Sequence, residues 1–320
     1  MELTELCSLH GTTPTSGAVP PWTLGCFRRR SISFFNGDSD DTTLVLWLQS
    51  RGLTGDLRLG ADRPRPKSRE ALSELSLAEL VRLAEVEGGV ATTRFEATPS
   101  AGVELTGTMH WPDWTAFQLH AKWPEPGVLR RVGECLIEHA PSGAYVEDWR
   151  LQPSGEGPFV GLTLLEERDS STGQVLHRGG GLVIAGEHAL FVRGRAEELP
   201  RVERLTDLMV RAVSEPRLLD TIFGFEASYA KRNASGRYVI SASTLPWREG
   251  KPLLSTGGFT MDDGLLLQKA REQSRGIERR FQIDTLEESY EDWLATPATP
   301  SAVAWLNAES ATLLSSAKTA

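Results

Sequence analysis

Between positions 104 and 150 the sequence gathers side chains that can move a proton beside side chains that can wall a small molecule. His110, Trp111, Asp113, Trp114, His120, Trp123, Glu134, Glu138, His139, Glu147, Asp148, Trp149 and Arg150 all fall there, with four of the nine tryptophans and three of the six histidines. Carboxyl and imidazole groups set among aromatic rings suit acid–base chemistry on a bound molecule. Burial moves their pKa towards working pH, and the rings orient the substrate. Glu138, Glu147 and His110 are the candidate acid/base groups, and Trp111, Trp114 and Trp149 the candidate walls. Period-two alternation aligns Tyr145, Glu147 and Trp149 on one face of a strand over 144–151. In Asp56-Leu57-Arg58-Leu59 the same alternation separates an acid–base pair from two leucines, so Asp56 and Arg58 form a candidate polar anchor. Alternation through Ser31 to Phe35 puts Arg28 and Arg30 on one face, where they can grip a carboxylate or phosphate. Each residue has a plainer competing role: tryptophans as core, alternating charges as a solvent face, and the arginines and Asp56 as structural ion pairs.

Other chemistries lack their motifs. No glycine-rich loop joins a strand to a helix, and Gly179-Gly180-Gly181 lies between strands without the Lys-Ser/Thr of a phosphate loop. There is no GxSxG elbow and no HExxH helix. No spacing selects a metal site, so neither metal nor cofactor is expected. With 34 Lys and Arg against 43 Asp and Glu, the net charge of −9 repels nucleic acid and anionic lipid. Cys7, Cys26 and Cys135 are odd in number and far apart, which fits a reducing cytoplasm better than a disulfide framework. No apolar run reaches the roughly 18 residues needed to span a bilayer, and no signal peptide is visible, so no membrane insertion is expected.

The elements that must position these residues are mostly strands. An Asn36-Gly37-Asp38 turn joins strands over 27–35 and 42–49. Further strands are predicted over 103–110, 117–123, 128–139, 144–151, 159–167, 182–184, 188–192, 218–227, 237–243, 265–270 and 277–285. Two helices interrupt them. One is capped by Ser76 with Glu79 and stopped at Gly88-Gly89; the other runs from Pro200 to Pro216. Consecutive strands on short turns favour a long antiparallel meander, which should close to hide its edges. The fold class is therefore mainly β, an antiparallel calycin- or lipocalin-like barrel with two short helices. It is either one large barrel or two smaller ones divided near 170, although residues 168–173 read better as a hairpin tip than as a boundary. Residues 1–22 read as a loose arm, 23–296 as the barrel region and 297–320 as a polar tail.

Three segments carry a family resemblance: RRRSISFFNGDSDDTTLVLWLQSRGLTGDLRLGADRP (28–64), VGECLIEHAPSGAYVEDWR (132–150) and LVIAGEHALFVRGR (182–195). Over most of 22–290 the chain resembles a set of largely uncharacterised bacterial and fungal proteins. Around 108–150, the WPDW and EDW motifs also resemble fungal two-barrel lipocalin-like proteins that interact with casein kinase. The resemblance implies calycin-like barrels and no particular reaction. Where the bacterial set carries a Trp-His dipeptide, this chain reads Met109-His110-Trp111.

Two functions fit these residues. One is a barrel that binds a small hydrophobic or amphipathic molecule, with room for a protein partner. The other is a cofactor-independent isomerase, cyclase or dehydratase acting on a hydrophobic metabolite. An interior packed solid favours the first. An open cavity with a buried carboxyl of raised pKa favours the second.

Overall fold

The computed structural model describes residues 1–11, 19–98, 105–133, 135–272 and 274–291, with scattered residues between 300 and 312. Strand outweighs helix, 44% against 18%, as the alternation predicts. Eleven strands form the first antiparallel sheet. They are β1 (Gly25–Phe34), β2 (Ser39–Asp40), β3 (Leu44–Gln49), β4 (Leu53–Leu59), β5 (Glu87–Thr92), β6 (Arg94–Ala97), β7 (Thr106–His110), β8 (Thr115–Ala116), β9 (Gly127–Val132), β10 (Cys135–His139) and β11 (Tyr145–Leu151). They run in the order β6-β7-β9-β10-β11-β1-β3-β4-β5-β8, with β2 on the side of β1. The second sheet holds β12 (Phe159–Asp169), β13 (Val175–Arg178), β14 (Gly180–Ala185), β15 (His188–Arg193), β16 (Glu226–Arg232), β17 (Tyr238–Ser243), β18 (Phe259–Asp262), β19 (Leu265–Glu272) and β20 (Arg275–Glu287). Its order is β17-β16-β15-β14-β12-β20-β19-β18, with β13 paired to β12.

Alternation along the strands assigns each sheet two faces with different work. Leu46, Leu48, Leu53 and Leu57 of the first sheet pack against Val183, Leu190, Val192 and Ala227 of the second in one apolar core. Gly55 is part of that contact, since a Cβ there would lie 2.9 Å from the Leu190 side chain. The opposite face of the first sheet curls into a half-barrel, floored by Phe27, Trp47, Met109, Leu129, Leu136 and Trp149. The opposite face of the second sheet is filled. Helix α1 (Leu3–His10) lays Leu3, Leu6 and Cys7 against Phe191, Phe259, Leu266 and Phe281. Beside them Arg279 donates to Glu167 at 2.6 Å and to Gln268 at 2.9 Å, all three fully buried. Helix α1 occupies one interior and the other is open.

Several predicted elements differ. Residues 1–22 include helix α1, which the Thr- and Pro-rich composition hid, and residues 12–18 lie outside the described set. The segment 128–139 is a hairpin, not one strand. Gly133, at φ +58°, turns β9 into β10, and Glu134 lies outside the described residues. The stretch 117–123 is irregular: Gln118 donates to the carbonyls of Ala84 and Val86, at the end of helix α2 (Leu77–Ala84), and Pro124 and Pro126 follow. Helix α2 carries the expected Ser76–Glu79 capping box, but it ends at Ala84, and Gly88 and Gly89 belong to β5. The helix expected over 200–216 shrinks to a short turn and helix α3 (Met209–Ala212). Pro216 then opens helix α4 (Pro216–Ile222), where a strand was expected, because Pro at the first helical position loses no hydrogen bond. The chain leaves the first sheet between Leu151 and Phe159, whereas residues near 170 form a hairpin tip in which Asp169 accepts from the N–H groups of Ser171 and Thr172. The tail 297–320 lies largely outside the described residues.

Candidate functional site

The half-barrel encloses a cavity of about 820 Å³. That volume falls in the range of small-molecule sites, which run from about 300 to 1,000 Å³. Its floor comes from the run of strands β10-β11-β1-β3-β4, with Ile32 contributed by β1. Register places Glu138 of β10 directly opposite Glu147 of β11, and both are buried, 4% and 1% exposed. Asp56 and Arg58 reach in from β4, and Trp47 from β3. The segment 110–126 also lines the cavity, contributing Trp111, Trp114 and Trp123. Asp113 turns that segment at φ +58°.

The two facing carboxyl groups have unlike surroundings. Glu147 accepts from Arg29 Nη1 at 2.8 Å and lies 3.5 Å from Arg58 Nη1. Arg29 in turn binds Asp40 at 2.8 Å, and Arg58 binds Asp56 at 2.9 Å. Glu138 forms no ion pair among the described residues. It accepts from Tyr145 Oη at 3.2 Å and from Trp149 Nε1 at 3.1 Å. Burial, reinforced by the negative charge of Glu147, pushes the Glu138 carboxyl up to about 8, with Arg58 and the two hydrogen bonds opposing only in part. Burial and Glu138 also raise the Tyr145 phenol, which keeps its proton at ordinary pH. The floor thus sets a carboxyl group pushed towards its protonated form opposite one bound by arginine. Unlike environments splitting two carboxyl groups into acid and anion is a recurrent arrangement for proton transfer.

Gly127 makes the crowding possible. A Cβ there would stand 2.7 Å from Glu138 Oε1 and 2.8 Å from the Trp111 ring. Aromatic contacts stiffen the walls: Trp47 meets Trp149 edge-on at 5.6 Å, and Trp123 lies 5.8 Å from Tyr145. Among the described residues the buried Trp111 indole N–H has no hydrogen-bond partner, which leaves a donor for a bound molecule.

Most of the residues singled out in the sequence converge here. Glu138, Glu147, His110, Asp56, Arg58, Trp111, Trp114 and Trp149 all line the cavity. His110 sits at the end of β7, its Nε2 3.7 Å from Glu96 Oε1, and no described hydrogen bond joins it to either glutamate. Arg28 and Arg30 are exposed on the outer face and do not line the cavity; Arg29 points inward instead. The reason is a β-bulge. Register against β11 jumps between Arg29 and Ser31, so the phase read from Ile32 and Phe34 inverts before it reaches the arginines. Phasing from Phe27, a large apolar side chain two residues away, would have selected Arg29. Trp47, Glu87 and Gly127 were also missed. Trp47 stands in a run buried on both faces, which gives alternation nothing to read.

Compared with protein families, curated proteins and solved structures, the chain has no match. Among the described residues, no helix is long and apolar enough to cross a membrane. No group of three or more His, Cys, Asp or Glu among them is placed to hold a metal ion.

Proposed function

We propose that this protein binds a small amphipathic molecule in the half-barrel cavity and catalyses an acid–base step on it without a cofactor. The observation that carries this reading is the Glu138–Glu147 pair, two buried carboxyl groups directly opposite each other on the floor of an open aromatic cavity, one bound by Arg29 and Arg58 and the other without an ion pair among the described residues. Glu138 exchanges the proton. Glu147, fixed by Arg29 and Arg58, keeps that proton on Glu138 until a substrate group takes it. Trp111, Trp114 and Trp149 hold the apolar body and keep water scarce, which strengthens each polar interaction inside. A calycin-like barrel, as the resemblance implies, would present its ligand in the same way. Isomerisation, cyclisation and dehydration each need one such proton movement.

The test begins with the protein purified from its own cells and examined by native mass spectrometry for a retained organic molecule. That molecule is then incubated in D2O with the wild type and with Glu138→Gln. Conversion or deuterium incorporation that falls by a factor of about 100 or more in the variant supports the reading. Equal turnover by a folded Glu138→Gln protein refutes it.

A further inference from the structure

Charge and aromatic content together narrow the class of molecule. Around the floor stand five carboxyl groups, Asp40, Asp56, Glu87, Glu138 and Glu147, against three guanidinium groups, Arg29, Arg58 and Arg195. The arginines are already engaged. Arg29 and Arg58 are bound to Asp40, Asp56 and Glu147, while Arg195 donates to the backbone carbonyls of Phe117 and Ile222 and lies over the Phe117 and Phe225 rings. Arg94 and Lys122, which also line the cavity, are equalled in number by Glu96 and Glu125. The interior thus keeps an excess of negative charge, and among the described residues each cation on its floor is already engaged. Around that excess stand the rings of Trp47, Trp111, Trp123, Tyr145 and Trp149. Aromatic faces attract a cation through their quadrupole, most strongly where water is excluded. Among the described residues the carboxyl groups are not clustered for a metal ion, and a cavity of about 820 Å³ holds a whole organic molecule.

We propose that the molecule this cavity takes carries a basic nitrogen and is held as an organic cation, its positive head over Glu138 and Glu147 and its apolar body among the tryptophans. This rests on the proposed function and names its substrate class. A neutral amine or imine entering the site takes the proton of Glu138: the O–H bond of the acid breaks, the nitrogen lone pair forms the N–H bond, and the charge of the site as a whole does not change. A quaternary ammonium ion, which has no lone pair, seats only when Glu138 releases its proton to solvent. The groups facing Glu138 are Glu147 and Tyr145 of β11 and Arg58 of β4, with Asp56, Glu87, Arg29 and His110 around them.

Three probes with one apolar body test this by isothermal titration calorimetry on the full chain: phenylbutyl-trimethylammonium, phenylbutanol and phenylbutyrate. The ammonium ion is expected to bind at least tenfold more tightly than the alcohol, and the carboxylate more weakly than either. Between pH 6 and 8 the ammonium affinity should rise, approaching tenfold per pH unit, with release of a proton. Glu138→Gln should abolish that slope and His110→Asn should keep it. Equal or tighter binding of the alcohol or the carboxylate overturns the cation assignment while the cavity reading stands. A cation preference unchanged in both Glu138→Gln and Glu147→Gln places the recognising charge elsewhere and also overturns it. Failure of all three probes to bind at millimolar concentration removes the binding reading and this inference together.

Discussion

The Arg29–Glu147 pair is the part of the floor whose removal has the clearest consequence. Its atoms are 2.8 Å apart and both side chains are almost fully buried, 6% and 2% exposed. At an effective dielectric constant of about 20, a pair at that distance attracts by about 6 kcal/mol, most of it offset by the cost of taking both charges out of water. Removing one partner leaves that cost uncompensated, which is worth about 3–5 kcal/mol. Arg29 keeps Asp40 at 2.8 Å, so Glu147→Gln belongs at the lower end, about 3 kcal/mol. Arg29→Met should cost a similar amount, because Glu147 then retains only Arg58 at 3.5 Å. The double variant removes both charges together and should lose less than the sum of the singles, with a coupling of about 2 kcal/mol. Urea denaturation of the four proteins at pH 7, with common m-values, reads this directly. Additive losses would show that the two charges do not depend on each other. The central position given to Glu147 would then be wrong.

Other outcomes follow from the same geometry. Glu138 is more basic in the folded protein than in the unfolded chain, so its contribution to stability is complete below about pH 4.3 and is lost as pH rises through about 8. The stability of the wild type relative to Glu138→Gln should fall by about 1.4 kcal/mol per unit between pH 5 and 8, and a flat difference contradicts the raised value. Gly127→Ala drives a methyl group against Glu138 and Trp111; a loss of about 1–3 kcal/mol in thermal denaturation and weaker probe binding are expected. Leu6→Ala in helix α1 opens a void in the filled interior and should cost about 2–5 kcal/mol while probe binding in the other half is unchanged. Arg279→Met leaves Glu167 buried beside Arg193 alone of its two close guanidinium partners, and a loss of about 3 kcal/mol in denaturation is expected.

Much of the site was legible because alternation reads a face wherever one side of a strand is apolar. Asp56 and Arg58 against Leu57 and Leu59, and Glu147 and Trp149 on 144–151, are such cases, and the half-barrel brings them together. What was not legible had physical causes. A bulge inverted the phase between Ile32 and Arg29, and alternation assumes no insertion. The β9–β10 hairpin hid in a run whose only break is Gly133-Glu134. Leu3–His10 is too short to show helical periodicity, and it is helical because its apolar side fills the second sheet. The raised pKa of Glu138 depends on a cross-strand neighbour and on closure of the half-barrel, and no local pattern encodes either.

The proton on Glu138 is the quantity on which the proposed chemistry turns. Isotope-edited infrared difference spectroscopy, comparing the wild type with Glu138→Gln from pH 6 to 9, measures it directly. A protonated carboxylic-acid carbonyl band present at pH 7 only in the wild type, and lost with a midpoint near pH 8, is the expected result. A Glu138 already ionised at pH 6 would contradict it.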